Sequence, residues 1–170
     1  MTLLPRKLLK PAVFILCLLP LLWLGWRGID GRLGANPVEA VIRFLGDWAL
    51  RFLFITLAVS PLRLLTGWSW PLSLRRMLGL YAFFYLALHL GAYVGLDRFF
   101  DFAAIWKDIL RRNFITAGMI AFVLMVPLAV TSTNRMVKRL GGARWKKLHK
   151  LVYPIAILGV LHYYWMAKAD

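Results

Sequence analysis

Five long apolar runs follow one another along a chain of 170 residues, separated only by short polar breaks. Helices and closed barrels are the only structures that satisfy every backbone polar group in lipid. The runs are continuous rather than alternating, which excludes a barrel and leaves helices. Mean hydropathy of +0.69 and a 61% share of hydrophobic side chains exceed the roughly half expected of an ordinary soluble domain. The predicted fold class is therefore all-α, a polytopic transmembrane bundle, with residues 1–170 forming one domain.

The first span is read over 11–26 ("PAVFILCLLPLLWLGW"), preceded by "RKLLK". A basic start before an apolar run also suits a secretory signal. No small-x-small site follows directly, so an uncleaved anchor is the preferred reading. The second span is 40–65, the third 77–96, the fourth 114–130, and the fifth 148 to about 167. Between the third and fourth lies "DRFFDFAAIWKDILRRN", too polar to span and read as an interfacial segment lying on the membrane. The single cysteine, Cys17, rules out a disulfide framework, a CxxC pair and a covalent CxxCH heme site.

A net charge of +15 raises nucleic acid as a partner, and the placement of the charges removes it. Arg6, Lys7 and Lys10 precede the first span, Arg63 lies at the end of the second, and Arg75 and Arg76 follow it. Arg135, Lys138, Arg139, Arg144, Lys146, Lys147 and Lys150 follow the fourth. These segments hold thirteen of the 22 basic residues and none of the seven acidic ones. All fall on one side when the N-terminus is cytoplasmic, as the positive-inside rule requires. Attraction to anionic lipid is a by-product.

Imidazole is costly in hydrocarbon unless something binds it. The chain has three histidines, His89, His149 and His162. With the N-terminus cytoplasmic, spans three and five run in the same direction, and His89 and His162 sit at matched depth, roughly 18–20 Å from the cytoplasmic face at 1.5 Å per residue. Two imidazoles so placed can meet one flat ligand from opposite sides. Interhelical hydrogen bonding is the plainer alternative for any single one of them. His149 lies at the cytoplasmic edge, where it serves a second ligand or caps the helix start. A zinc site wants four ligands, whereas a b-type heme needs only two axial imidazoles. Gly159, one turn before His162, and Gly91, just after His89, leave room for close approach.

Arg43, Asp47 and Arg51 recur at four-residue steps and share a helix face. Arg51 suits either a heme propionate or an ion pair with Asp47. Arg75 and Arg76 open the third span; they read first as positive-inside anchors and stand with Arg51 and Gly159 as candidate cofactor contacts.

The stretches "RRMLGLYAFFYLALHLGAY", "TSTNRMVKRLGGARWKKLHKLVYPIAILGVLHYYW" and "LGANPVE" resemble the MsrQ family, heme-binding membrane subunits of the bacterial periplasmic methionine sulfoxide reductase system. That family sits in the ferric reductase-like transmembrane group alongside the NADPH oxidases. The resemblance covers nearly the whole chain. It implies b-type heme, with FMN also attributed to the family, and a multi-pass protein of the bacterial cell inner membrane. It also implies electron transfer, from the quinone pool or a cytosolic flavin reductase, to the molybdenum-containing partner MsrP.

In the NADPH oxidases two hemes are stacked between the third and fifth helices. By that resemblance His89 and His162 match the outer pair of ligands and His149 the inner ligand on the fifth helix. The expected partner of His149 falls where Arg75 and Arg76 stand, so one heme is expected and a second needs another ligand. The family usually carries a sixth helix, whereas this chain ends at "AKAD", which reads as a truncated or a short member. The protein is expected to be a conduit rather than a catalyst of bond-making, with the interfacial segment as part of the partner surface. Two rivals stay open: a transmembrane ferric reductase, and a small transporter using His89, Asp47 and Arg51 as a polar relay.

Overall fold

The computed structural model describes residues 6–169. The side chains of Arg6 and Lys7 lie outside the described residues, as does Asp170 of the closing stretch. All regular structure among the described residues is helical: α1 (Arg6–Ile29), α2 (Pro37–Thr66), α3 (Arg75–Ala92), α4 (Phe102–Arg111), α5 (Asn113–Val130), α6 (Asn134–Leu140), α7 (Gly142–His149) and α8 (Val152–Ala169). By length and composition four segments are apolar enough to cross a membrane: Leu8–Ile29, Pro37–Thr66, Arg75–Asp97 and Asn113–Val130. The fifth expected span corresponds to α8, which is not among these four.

Local chemistry sets the ends of α2. The Asn36 side chain accepts from the Glu39 backbone N–H and donates to the Glu39 carboxylate at 2.9 Å, a reciprocal cap, and Pro37 opens the helix. Gly67, with φ +72°, closes it in the left-handed conformation that glycine adopts without a steric penalty. Thirty residues make a rod of about 45 Å, longer than a hydrocarbon core of about 30 Å.

The bundle is built from two antiparallel pairs, α2 with α3 and α5 with α8, which make the most extensive helix contacts. The first pair packs on aromatics. Tyr85 is wholly buried, with its ring 5.2 Å from that of Phe52. Its hydroxyl donates to the Cys17 carbonyl at 2.8 Å, and the Tyr81 hydroxyl donates to the Phe14 carbonyl at 2.9 Å. These bonds pin α1 to the outside of the pair.

Two regions differ from the sequence expectation. The basic stretch after α5 is not a loop: Thr133 caps α6 by accepting from the Met136 N–H, and α7 follows Gly141 directly. The fifth span also starts later than expected. Pro154 lacks an N–H, so the Lys150 carbonyl accepts instead from Tyr153 at 3.1 Å, in a tighter turn. The chain breaks at 150–151, leaving His149 at the end of α7 and His162 on α8. They do not share a helix, and His149 ends α7 rather than starting the fifth span.

The interfacial segment is structured. Helix α3 runs into a π-helical turn, Tyr93–Asp97, and then Phe99 and Phe100 take positive φ of 48° and 61°. Asp101 caps α4 by accepting from Ala104 N–H at 2.9 Å. Helix α4 turns Ile105 inward and leaves Phe102, Trp106 and Leu110 exposed as one stripe.

Candidate functional site

Each helix pair contributes one imidazole to the space between the pairs. His89 on α3 approaches α2, and its Nδ1 lies 2.9 Å from the Ile42 carbonyl oxygen. His162 on α8 approaches α5, and its Nδ1 lies 2.7 Å from the Phe114 carbonyl oxygen. A carbonyl only accepts, so in both rings Nδ1 carries a proton, and in the neutral tautomer that this selects Nε2 is the nitrogen with the lone pair. That is the second-shell arrangement of metal-bound histidine, in which the non-ligating nitrogen donates to a fixed acceptor.

The two rings are neighbours in an edge-type arrangement, with centres 6.0 Å apart and planes at 83°. Two metal–nitrogen bonds of about 2 Å each, plus the distance from each nitrogen to its own ring centre, add to roughly 6 Å. The separation therefore suits one metal held between the rings. Among the described residues no cluster of three or more His, Cys, Asp or Glu could hold a metal ion. Two imidazoles alone make a site only for a metal that brings its other ligands with it, as a porphyrin does.

The space around the pair is a cavity of about 460 Å³ between the four helices, within the usual size of a cofactor pocket. Its inner walls are apolar, with Leu53, Leu86, Phe122, Met125 and Ile155 among the lining residues, and its mouth carries Glu39, Arg43, Asp97, Arg98 and Arg112. The N-terminal ends of α2 and α5 and the C-terminal ends of α3 and α8 meet at this mouth.

A compact ion network shapes one lip. Asp108 of α4 receives Arg98 at 2.6 Å, Arg112 at 3.2 Å and the Tyr93 hydroxyl at 2.8 Å. One carboxylate thereby ties the π-helical turn, α4 and the start of α5 together.

The other sequence candidates are placed differently. His149 does not line the cavity. Its ring stacks on Trp145 with centres 3.8 Å apart, and Nδ1 lies 3.1 Å from the Trp145 carbonyl. Burial pushes its pKa below the ordinary histidine value; the nearby charges of Arg75 and Arg76 push the same way, against hydrogen bonds to backbone carbonyls. Arg75 bonds Ser60 at 2.9 Å, and Arg76 bonds Asn134 and lies over the Trp145 ring. All three belong to the end of the bundle opposite the cavity mouth. Arg51 stands outside the main cavity, 3.8 Å from Asp47 and over the Trp48 ring at 5.0 Å. Gly159 does line it, and a Cβ there would meet Leu50 at 3.3 Å.

The comparisons with known proteins agree with this architecture. The model of the family "Ferric reductase like transmembrane component" matches residues 45–160. A protein of Rhodospirillum rubrum named protein-methionine-sulfoxide reductase heme-binding subunit MsrQ is 62% identical over 164 residues, covering 96% of this chain and 79% of the relative. Proteins with the same name from Herminiimonas arsenicoxydans and Caulobacter vibrioides are 55% and 54% identical, over 94% and 93% of this chain and 73% and 75% of theirs. The chain belongs to the MsrQ family. No solved structure matches it.

In this MsrQ chain the residues most exposed by the structure and hidden from sequence reasoning are glycines. A Cβ at Gly46 of α2 would lie 3.0 Å from His89 Nδ1, and one at Gly118 of α5 would lie 2.7 Å from His162 Nδ1. The glycines expected from the sequence, Gly91 and Gly159, stand on the histidines' own helices. Gly46 and Gly118 lie on the neighbouring helix, where no spacing along the chain marks them.

Proposed function

We propose that this chain is a transmembrane b-type cytochrome of the bacterial inner membrane. It carries electrons from the quinone pool or a cytosolic flavin reductase to the periplasmic reductase MsrP. The observation that carries the heme reading is the pairing of two imidazoles with ring centres 6.0 Å apart, each with its Nδ1 held by a backbone carbonyl of the neighbouring helix. His89 and His162 would hold the heme iron. When bound, heme supplies a one-electron iron couple, and two imidazoles leave no open position on the iron, which favours electron transfer over oxygen binding.

The protein's own residues do the remaining work. The Ile42 and Phe114 carbonyls hold both imidazoles in the ligating tautomer. The apolar walls exclude water. Arg43, Arg98 and Arg112 stand at the mouth, paired with Glu39 and Asp108, and are the cations there that heme carboxylates would meet. Positive-inside placement puts the basic end of α6 and α7 in the cytoplasm and the cavity mouth toward the periplasm. The donor then meets the basic face and MsrP the mouth and α4. Membership of the MsrQ family supports the pairing with a methionine sulfoxide reductase.

The test is a heme-to-protein ratio on detergent-purified wild type and three single variants. His89→Ala and His162→Ala are expected to lose the low-spin heme spectrum, and His149→Ala to keep it. Full heme retention by both His89→Ala and His162→Ala would refute the assignment. Reoxidation of the reduced protein by MsrP but not by ferric chelates would separate this function from a metal-ion reductase.

A further inference from the structure

The two histidines are held by the same device, used twice. On α2 the accepting carbonyl is Ile42 and the residue one turn later is Gly46; on α5 they are Phe114 and Gly118. A helical side chain leans toward the N-terminus and covers the turn before its own Cα. The side chain at position i+4 therefore shields the carbonyl at position i. That carbonyl already accepts the helical N–H of residue i+4, and its second lone pair is free only where nothing covers it. Glycine at i+4 uncovers it.

The distances show how close the fit is. A Cβ at Gly118 would meet three atoms of the His162 ring, at 2.7, 3.1 and 3.3 Å. At Gly46 the corresponding contacts with His89 are 3.0, 3.1 and 3.7 Å. Each clash falls on Nδ1 and its neighbours, the edge that makes the hydrogen bond. Helix propensity favours alanine over glycine at both positions, so the packing partner rather than the helix calls for glycine.

We infer that Gly46 and Gly118 are positioning residues that open the Ile42 and Phe114 carbonyls to His89 and His162, and so fix the tautomer, ring angle and basicity of both ligands. This rests on the heme reading above. The two sites are not equivalent. The shorter contact makes Gly118→Ala the more damaging change, and Gly46→Ala the milder one that the histidine can meet by tilting. Second-shell partners of this kind typically change metal-site affinity by roughly 10–100-fold.

The experiment compares Gly46→Ala, Gly118→Ala and Gly79→Ala in the full-length, heme-loaded protein. Gly79 lies on α3, and a Cβ there would make only an ordinary contact, 3.6 Å from Thr56. Three quantities are read: the rate of heme loss to a scavenger apoprotein, the ferric low-spin EPR signal and the midpoint potential. The expected result is heme loss faster by roughly tenfold or more in Gly118→Ala, an altered EPR anisotropy and potential in both cradle variants, and wild-type behaviour in Gly79→Ala.

A second arm introduces each glycine change into its histidine-free background, Gly118→Ala with His162→Ala and Gly46→Ala with His89→Ala, and follows thermal unfolding. With the imidazole gone the three closest contacts of the added methyl group are gone, so most of its cost should vanish there. Cradle variants indistinguishable from Gly79→Ala in all three heme readouts would overturn the inference. So would an equal loss of stability with and without the histidine, which marks a merely structural glycine. Retention of low-spin heme by His89→Ala and His162→Ala would instead strike the heme reading itself, a distinct outcome.

Discussion

His89 and His162 come from different helix pairs, yet their rings meet across 6.0 Å with planes turned 83° to one another. Neither ring reaches the other through its own backbone. Each is positioned by the helix packed beside it, through Ile42 on α2 and Phe114 on α5. The site is thus a property of the docking of two helix pairs, and a shift of one pair against the other changes the spacing of the two ligands.

Tyr85→Phe tests what holds the first pair to α1. The ring is fully buried and its hydroxyl is bonded to the Cys17 carbonyl. Removing one interhelical hydrogen bond in a membrane bundle costs about 0.6–1.5 kcal/mol. Thermal unfolding in detergent should show a small loss, with the heme spectrum unchanged because the packing around His89 stays filled.

Asp108→Asn removes the carboxylate shared by Arg98 and Arg112. Two guanidinium groups then face each other across a neutral amide, and α4 loses its tie to the π-helical turn. Amide hydrogen exchange should rise over 98–112 and stay unchanged in α2. Unaltered protection of α4 would show that its apolar contacts alone hold it.

His149 gives a pH dependence with a definite sign. Burial, with Arg75 and Arg76 acting in the same direction, depresses its pKa below 6.5 in the folded protein. The unfolded chain therefore takes up the proton first as pH falls. The contribution of His149 to stability is complete above the unfolded value and is lost as pH falls through the folded one. His149→Gln should flatten the fall in thermal stability between about pH 7 and pH 5 relative to wild type. An identical slope in both proteins would show that the imidazole titrates as it does in water.

Much of this was legible in the chain because lipid imposes a one-dimensional rule. A continuous apolar run between capping and turn residues can only be a helix, so α1, α2, α3 and α5 were readable to within a few residues. Matched depth of His89 and His162 was also readable, since rise per residue converts sequence position into height. What was hidden depends on which faces meet. The bare carbonyls behind the histidines and the glycines that uncover them sit on other helices, at no fixed spacing from the residues they serve. The break before α8 turns on a single missing donor, at Pro154, which a hydropathy window averages away. For Arg51 the sequence left a propionate contact and an ion pair with Asp47 both open; the side chain lies outside the main cavity, beside Asp47 and Trp48.

The central claim is that both imidazoles bind one iron, and EPR of the ferric wild-type protein, joined to near-infrared magnetic circular dichroism, measures that directly. A low-spin signal with bis-histidine charge-transfer character and the strong anisotropy of nearly perpendicular ligand planes is the predicted result. A high-spin five-coordinate iron, or a low-spin iron ligated by sulfur, would contradict it.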